Sequence, residues 1–150
     1  MRLIFFILFI ILSFNSIYGQ NPDGFEQMAT SMINKKTPSI TMNDVQKLQK
    51  EKQKIIFLDS REQNEFSVSH LPGAIWVGYD HIDWTKIDKL DKKATVVIYC
   101  SVGFRSGKLT DQLKKKGFIH VKNLYGGLFN WVNNGGKIVN SKDNFTTEVH

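Results

Sequence analysis

The stretch "TVVIYCSVGFRSGKLTDQLKKKG", residues 95–117, joins a strand pattern to a helix pattern and decides the fold prediction. Its first five residues are consecutive β-formers, as in a strand buried on both faces of a parallel sheet. Residues 105–116 carry the clearest helix pattern of the chain, and Gly117 is a typical stop signal. The only cysteine of the chain, Cys100, lies at the junction between strand and helix.

Strand and helix patterns alternate through the surrounding sequence. Further strands are predicted over residues 55–59, 74–78, 119–124 and 137–139. Short helices are predicted over 41–53, 61–66 and 126–136, whereas residues 80–94 are helical or irregular. Because the connections are short, this alternation predicts an α/β fold, a parallel sheet flanked by helices on both faces.

The N-terminal segment differs from the rest in composition. Arg2 precedes an apolar run from Leu3 to Phe14, and small or polar residues follow it, which predicts a signal peptide over residues 1–19. The run is shorter than the roughly 20 residues that cross a bilayer. We therefore expect an exported protein, periplasmic or secreted; the alternative is a membrane-anchored protein with an uncleaved segment. Residues 20–37 are predicted as a leader, 38–140 as one domain and 141–150 as a tail.

Composition excludes several kinds of function. The net charge of +6 is mild and comes without an arginine-rich stripe, so no nucleic-acid partner is expected. His81, His120 and His150 lack metal-ligand spacing, and we predict neither a metal nor a cofactor. A single cysteine cannot form an internal disulfide, which leaves a buried filler, an intermolecular bridge or a reactive thiol.

The loop after Cys100 has the features of an anion-binding site. It begins at the carboxyl end of a predicted strand, which is where ligands bind in open α/β folds. Gly103 lets successive N–H groups converge, the following helix adds its positive end, and Arg105 adds a permanent charge. Three sources of positive potential favour an ionised, nucleophilic sulfur. The predicted site is therefore Cys100 with the five residues that follow it: Ser101, Val102, Gly103, Phe104 and Arg105.

Three stretches resemble one known family. "YCSVGFRS" is similar to the active-site loop of the single-domain rhodaneses, which are sulfurtransferases. "LDSREQNEFSVSHLPGAI", residues 58–75, and "LYGGLFNWVNNG", residues 124–135, resemble two further segments of that family, in the family's order. The similarity covers residues 38–139. Two departures are minor: Ser69 replaces a usual glycine, and Leu71 replaces isoleucine.

The resemblance implies a rhodanese fold and a sulfur-transfer reaction. Cys100 would take sulfane sulfur from a donor such as thiosulfate, hold it as a persulfide, and pass it to a thiol or cyanide acceptor. The partners would thus be a small anionic donor and a thiol acceptor. Loop N–H groups would hold the persulfide, and Arg105 would bind the donor's oxygens. Asp59, Arg61 and Glu65 are expected to brace the rim of the site.

Other interpretations of the same residues stay open. The main alternative is a catalytically quiet module of the same fold that docks, or relays redox equivalents to, another exported protein. A phosphatase is disfavoured because four residues separate Cys100 from Arg105, whereas five do so in the related dual-specificity cell-cycle phosphatases. A thiol sensor would lack a resolving cysteine in the chain. The intact loop from Cys100 to Arg105 favours the enzyme.

Overall fold

The computed structural model describes Gly24, Ser31 and residues 33–150. The predicted signal peptide and most of the predicted leader lie outside the described residues. Among the residues that are described, no helix has the length and apolar character needed to span a bilayer.

A five-stranded sheet forms the centre of the fold. Its strands are β1 (Ser39–Ile40), β2 (Ile55–Asp59), β3 (Ile75–Trp76), β4 (Thr95–Tyr99) and β5 (His120–Leu124), and they lie in the order β1-β5-β4-β2-β3. Every pairing in this sheet is parallel, as the alternating patterns predicted. β4 is central, with β2 on one side and β5 on the other.

Helices cover both faces of the sheet, which confirms the predicted fold class. They are α1 (Met42–Lys50), α2 (Gln63–Val68), α3 (Trp84–Ile87), α4 (Phe104–Lys115) and α5 (Gly127–Asn133). Alternate strand residues point to opposite sides, as the period of a strand requires. One core cluster joins Val97 and Tyr99 to side chains of α1 and α5. The other joins Val96 and Ile98 to side chains of α3 and α4.

Short strands account for three of the differences from the sequence prediction. In addition, the helix predicted over 61–66 begins later, as α2, so Arg61 precedes it. β1 was not predicted, because two residues are too few to produce a pattern. The strand predicted over 74–78 is reduced to β3. The strand predicted over 137–139 lies outside the central sheet: β6 (Ile138–Val139) pairs antiparallel with β7 (Phe145–Thr146). β7 falls within the predicted tail, so the tail contributes one strand of this small sheet.

The pairing register of β2 with β4 determines which residues lie side by side at the carboxyl edge of the sheet. Asp59, the last residue of β2, is paired with Tyr99, the last residue of β4. Cys100 therefore leaves the sheet next to the start of the segment that follows Asp59. The loop between β2 and α2 and the loop between β4 and α4 are neighbours for this reason, and together they form the surroundings of Cys100.

Candidate active site

Cys100 lies directly after β4 and is only 1% exposed. The N–H of Gly103 donates a hydrogen bond to its Sγ over 3.1 Å. Gly103 has a φ of 99°, in the region that favours glycine, and it is the N-cap residue of α4. This conformation turns the chain back toward the sulfur. As a result, a backbone donor and the positive end of α4 lie at Cys100.

Arg105 is paired with a carboxylate from the neighbouring loop. Its Nη1 and Nη2 donate to the two carboxylate oxygens of Glu65, each over 2.7 Å. Burial alone would raise the pKa of Glu65, but hydrogen bonds from Arg105 and the Glu62 N–H, and the charge of Arg105, lower it to about 2. The same pairing raises the pKa of Arg105 above its ordinary value, and the nearby Cys100 adds to this shift. The guanidinium is thus fixed beside the sulfur, with both Nη atoms on Glu65.

The other predicted loop residues differ in their surroundings. The Ser101 hydroxyl accepts from Arg105 Nη2 over 2.9 Å and donates to Glu65 Oε1 over 3.0 Å, so it joins the ion pair. Val102 is partly exposed. Phe104 is 43% exposed, and Lys108 Nζ lies 4.5 Å from the centroid of its ring. The loop therefore has a polar inner side and an apolar outer tip.

Asp59 and Arg61 form a second ion pair that is fully buried. Arg61 Nη2 lies 2.7 Å from Asp59 Oδ2, and both side chains are 0% exposed. The same Nη2 donates to the carbonyl of Ser69 over 2.6 Å. Burial alone would lower the pKa of Arg61, but the hydrogen bond and charge of Asp59 raise it above its ordinary value. The pair ties the end of β2 to the segment after α2.

The glycines of "LYGGLFNW" explain why that segment belongs to the site. The N–H groups of Leu128 and Phe129, in the first turn of α5, donate to the carbonyls of Cys100 and Ser101 over 2.8 and 3.0 Å. Gly127 has a φ of 59°, and a Cβ there would overlap both carbonyl oxygens. Only glycine lets α5 approach the Cys100 loop so closely. The first turn of α5 thus packs against the backbone of the Cys100 loop and holds it in place.

Sequence reasoning missed two buried polar residues at the site, Ser106 and Asn123. Ser106 Oγ lies 3.4 Å from Cys100 Sγ and 2.6 Å from Asn123 Oδ1. Asn123 Nδ2 also donates to the carbonyl of Gly103 over 3.0 Å. A signal existed for Asn123, because it shares an apolar phase of β5 with buried Val121. Ser106 gave no comparable signal, since serine in a first helical turn is common.

A cavity of about 270 Å³ lies along α4 beside the Cys100 loop, and its lining includes Tyr79, Arg105 and Lys108. Lys108 Nζ donates to the Tyr79 hydroxyl over 3.3 Å, and the guanidinium carbon of Arg105 lies 5.9 Å from the Tyr79 ring centroid. The lining also includes Asp80, so this side of the site carries two cations, one carboxylate and an aromatic ring. In the part of the chain that the structure describes, no group of His, Cys, Asp or Glu is arranged to hold a metal ion.

Comparison with known proteins identifies one family. A family profile described as a rhodanese-like domain matches residues 41–134. The tRNA uridine(34) hydroxylase of Staphylococcus aureus is 39% identical over 80 residues, which are 49% of this chain and 24% of that protein. The adenylyltransferase and sulfurtransferase UBA4 of Meyerozyma guilliermondii is 32% identical over 83 residues, or 51% of this chain and 20% of that protein.

A solved structure agrees with the fold. The crystal structure of thiosulfate sulfurtransferase from Pseudomonas aeruginosa has a TM-score of 0.63 at 24% identity, covering 75% of this chain and 22% of that one. At this identity the likeness concerns the fold. The chain spans a quarter or less of each of these three relatives.

Proposed function

The chain belongs to the rhodanese-like domain family, and from this membership we propose that it is an exported, single-domain sulfurtransferase with Cys100 as its sulfur-carrying nucleophile. Membership supports sulfur transfer as the general class of reaction. The proposal adds a donor, thiosulfate or a similar anion, and an acceptor, a thiol or cyanide. The hydrogen bond from the Gly103 N–H to Cys100 Sγ over 3.1 Å carries the proposal, because it favours a negative sulfur at the head of a helix.

The reaction consists of two displacements. In the first, the Cys100 thiolate attacks the outer sulfur of thiosulfate, the S–S bond of the donor breaks, and sulfite leaves with the electron pair. Cys100 then carries a persulfide. In the second, the acceptor attacks the outer sulfur of the persulfide, and Cys100 Sγ leaves as a thiolate. Neither step needs a general base when the nucleophile is already ionised.

The charges around the loop support an anionic donor. Arg105 and Lys108 both line the cavity beside the Cys100 loop, whereas Glu65 is the carboxylate that occupies Arg105. The same lining holds one carboxylate, that of Asp80, against these two cations, and the cations attract and orient an anion. In this proposal Arg105 fixes the polar side of the loop through Ser101 and Glu65 and turns its charge toward the donor's oxygens as the donor binds.

The test is the intact mass of the full chain before and after incubation with thiosulfate, and again after cyanide is added. We expect a gain of one sulfur atom and then its loss. A Cys100→Ser variant is the matched control and should gain nothing. An unchanged mass of the wild-type protein with thiosulfate and with a low-molecular-weight persulfide would reject sulfur transfer.

Two observations favour a second candidate, a quiet binding or redox-relay module that docks another exported protein. Cys100 is 1% exposed, while Phe104 beside it is 43% exposed and offers an apolar contact. In addition, a segment of similar sequence occurs in a protein named as a hydroxylase. This candidate predicts no sulfur gain with either donor, so the same mass experiment separates the two functions.

Export is a separate part of the proposal and rests on the sequence of residues 1–19. We expect the secreted or periplasmic protein to begin near Gln20. N-terminal sequencing of protein recovered from outside the cytoplasm is the measurement. Recovery of a membrane-bound chain that begins at Met1 would instead indicate an uncleaved anchor.

A further inference from the structure

A buried pair of polar side chains connects Cys100 to the neighbouring strand. Ser106 is the third residue of α4, Asn123 lies on β5, and both are 0% exposed. Ser106 Oγ lies 2.6 Å from Asn123 Oδ1 and 3.4 Å from Cys100 Sγ. The hydroxyl therefore has two possible acceptors and one proton, so it can donate to only one of them at a time.

The hydrogen bonds of Asn123 determine to which of the two acceptors the Ser106 hydroxyl donates in this structure. The Gly103 carbonyl can only accept, so it faces Nδ2 of Asn123, which donates to it over 3.0 Å. Oδ1 of Asn123 must then face Ser106. The short distance between Oγ and Oδ1 identifies this as the stronger bond of the hydroxyl in this structure. A lone pair of Ser106 Oγ is thus turned toward Cys100 Sγ.

A negative charge on Cys100 Sγ changes which acceptor the Ser106 hydroxyl prefers. A thiol at Cys100 can donate its proton to the Ser106 lone pair, and the inner sulfur of a persulfide carries no full charge. A thiolate has no proton and is a strong, charged acceptor. Rotation of the Ser106 hydroxyl then replaces a neutral bond to Asn123 with a charge-assisted bond to Sγ.

We propose that Ser106 is a catalytic residue of the second displacement, whose hydroxyl turns from Asn123 Oδ1 to Cys100 Sγ and stabilises the departing thiolate. The inference deepens the proposed function and rests on it. In that step the acceptor thiolate forms a bond to the outer sulfur, the bond between the two sulfurs of the persulfide breaks, and Sγ keeps the electron pair. Because a better-stabilised thiolate leaves faster, the hydroxyl accelerates sulfur release. Asn123 is the positioning residue that holds the hydroxyl ready.

The decisive variant is Ser106→Ala, measured in two single turnovers on the full chain. We expect the rate of sulfur transfer from the loaded protein to cyanide to fall about tenfold, the order expected for loss of one hydrogen bond to a charged group. The rate of loading by thiosulfate should change much less, since sulfur loses charge in that step. Thr110→Val is the matched control: Thr110 is a buried hydroxyl residue of α4 whose Oγ1 donates to the Ser106 carbonyl over 2.9 Å. It should leave the ratio of the two rates unchanged.

A second measurement needs no sulfur donor and so separates this inference from the proposed function. The rate of Cys100 alkylation by iodoacetamide is followed across pH in the wild type and in Ser106→Ala. We expect the midpoint of the profile to move to higher pH in the variant, because the thiolate loses a donor. The alkylation measurement tests the role of Ser106 even when the wild type accepts no sulfur from thiosulfate.

Equal slowing of both turnovers in Ser106→Ala, or an unmoved alkylation profile, would overturn the proposal and leave Ser106 a packing residue. If that variant does not fold, Asn123→Asp provides the test with Ser106 in place. A carboxylate holds the hydroxyl proton more strongly than an amide oxygen does. Transfer to cyanide should then be slowed more than loading, and an unchanged ratio of the two rates contradicts the inference.

Discussion

Two arginine–carboxylate pairs lie at the carboxyl edge of the sheet and differ in their access to solvent. Asp59 and Arg61 are both 0% exposed. The side chains of Arg105 and Glu65 are 23% and 12% exposed, and each Nη of Arg105 reaches one carboxylate oxygen. The closest contact is 2.7 Å in both pairs. The same kind of ion pair thus occurs once in the protein interior, as Asp59 with Arg61, and once where solvent reaches the Cys100 site, as Glu65 with Arg105. The second is called the pair at the mouth of the site.

The difference teaches what each pair can do. Removing one partner from a fully buried pair leaves a charge that water cannot reach, so the buried pair serves the fold. A pair that solvent reaches can exchange a partner for water or a ligand at a small cost. Glu65 and Arg105 therefore suit a role in binding, and Asp59 and Arg61 suit a role in holding the loop after β2. The predictions below test this division, from the largest expected effect to the smallest.

The largest effect is expected from Asp59→Asn, which keeps the shape of the side chain but removes its charge. Arg61 is then buried without a counter-charge, and we expect the free energy of unfolding to fall by about 3–5 kcal/mol. Urea denaturation of the purified protein is the measurement. Asp83→Asn is the control, because Asp83 pairs with Lys86 at the surface, with side chains 31% and 40% exposed. A loss no larger than that of the control would show that burial does not govern the pair.

A smaller, pH-dependent effect is expected for the pair at the mouth. The pKa of Glu65 is about 2 in the folded protein against an ordinary value of 4.5. A lowered pKa stabilises the fold above the ordinary value, and this contribution is lost as pH falls from about 4.5 to about 2. Glu65→Gln should therefore cost about 1 kcal/mol at neutral pH, after allowing for solvent screening. The difference in free energy of unfolding between Glu65→Gln and the wild type should disappear near pH 2, where Glu65 becomes protonated in the folded protein.

The measurement for this pair is the free energy of unfolding of the two proteins in urea at a series of pH values. Both proteins share the other carboxylates, so those contributions cancel in the difference. A difference that stays constant down to about pH 2 would show that the charge of Glu65 is not what stabilises the pair.

The sequence predicted the parts of this molecule that have strong local patterns. Three local features were sufficient to place Cys100 at the sheet edge: the five β-formers of β4, the glycine of the Cys100 loop and the helix after it. The partner of Arg105 was not predicted, because Glu65 is forty positions away along the chain, and only the register of β2 with β4 brings their loops together. The contact of Ser106 with Cys100 spans only six positions, and it was missed because a serine in a first helical turn gives no distinctive signal. The hydrogen bond of Ser106 to Asn123 does cross to another strand, so the sequence pattern could not show it.

The role of Arg105 can be tested against the same comparison. Arg105→Ala should raise the KM for thiosulfate about tenfold, because a positioned cation near the donor is lost, and should leave the protein folded. Lys114→Ala removes a cation from the far end of the same helix and is the control. Steady-state kinetics and the far-ultraviolet circular dichroism of both variants are measured together. An unfolded Arg105→Ala would place this pair with the buried one, and an unchanged KM would remove Arg105 from donor binding.

The smallest effect is expected beside the buried pair, at Ser69. Its carbonyl accepts from Arg61 Nη2, but among the described residues its buried hydroxyl oxygen has no hydrogen-bond partner. An unsatisfied buried hydroxyl costs free energy, so Ser69→Ala should be neutral or stabilise the fold by up to about 1 kcal/mol. The backbone there is extended, with a φ of −161°, which alanine adopts without strain. A measured loss of more than about 1 kcal/mol in urea would mean that the hydroxyl is bonded, most simply to a buried water that also serves the unpartnered Arg61 Nη1. The buried network would then include the Ser69 hydroxyl and a water molecule as well as the charges of Asp59 and Arg61. It would differ even more clearly from the solvent-accessible pair of Arg105 and Glu65.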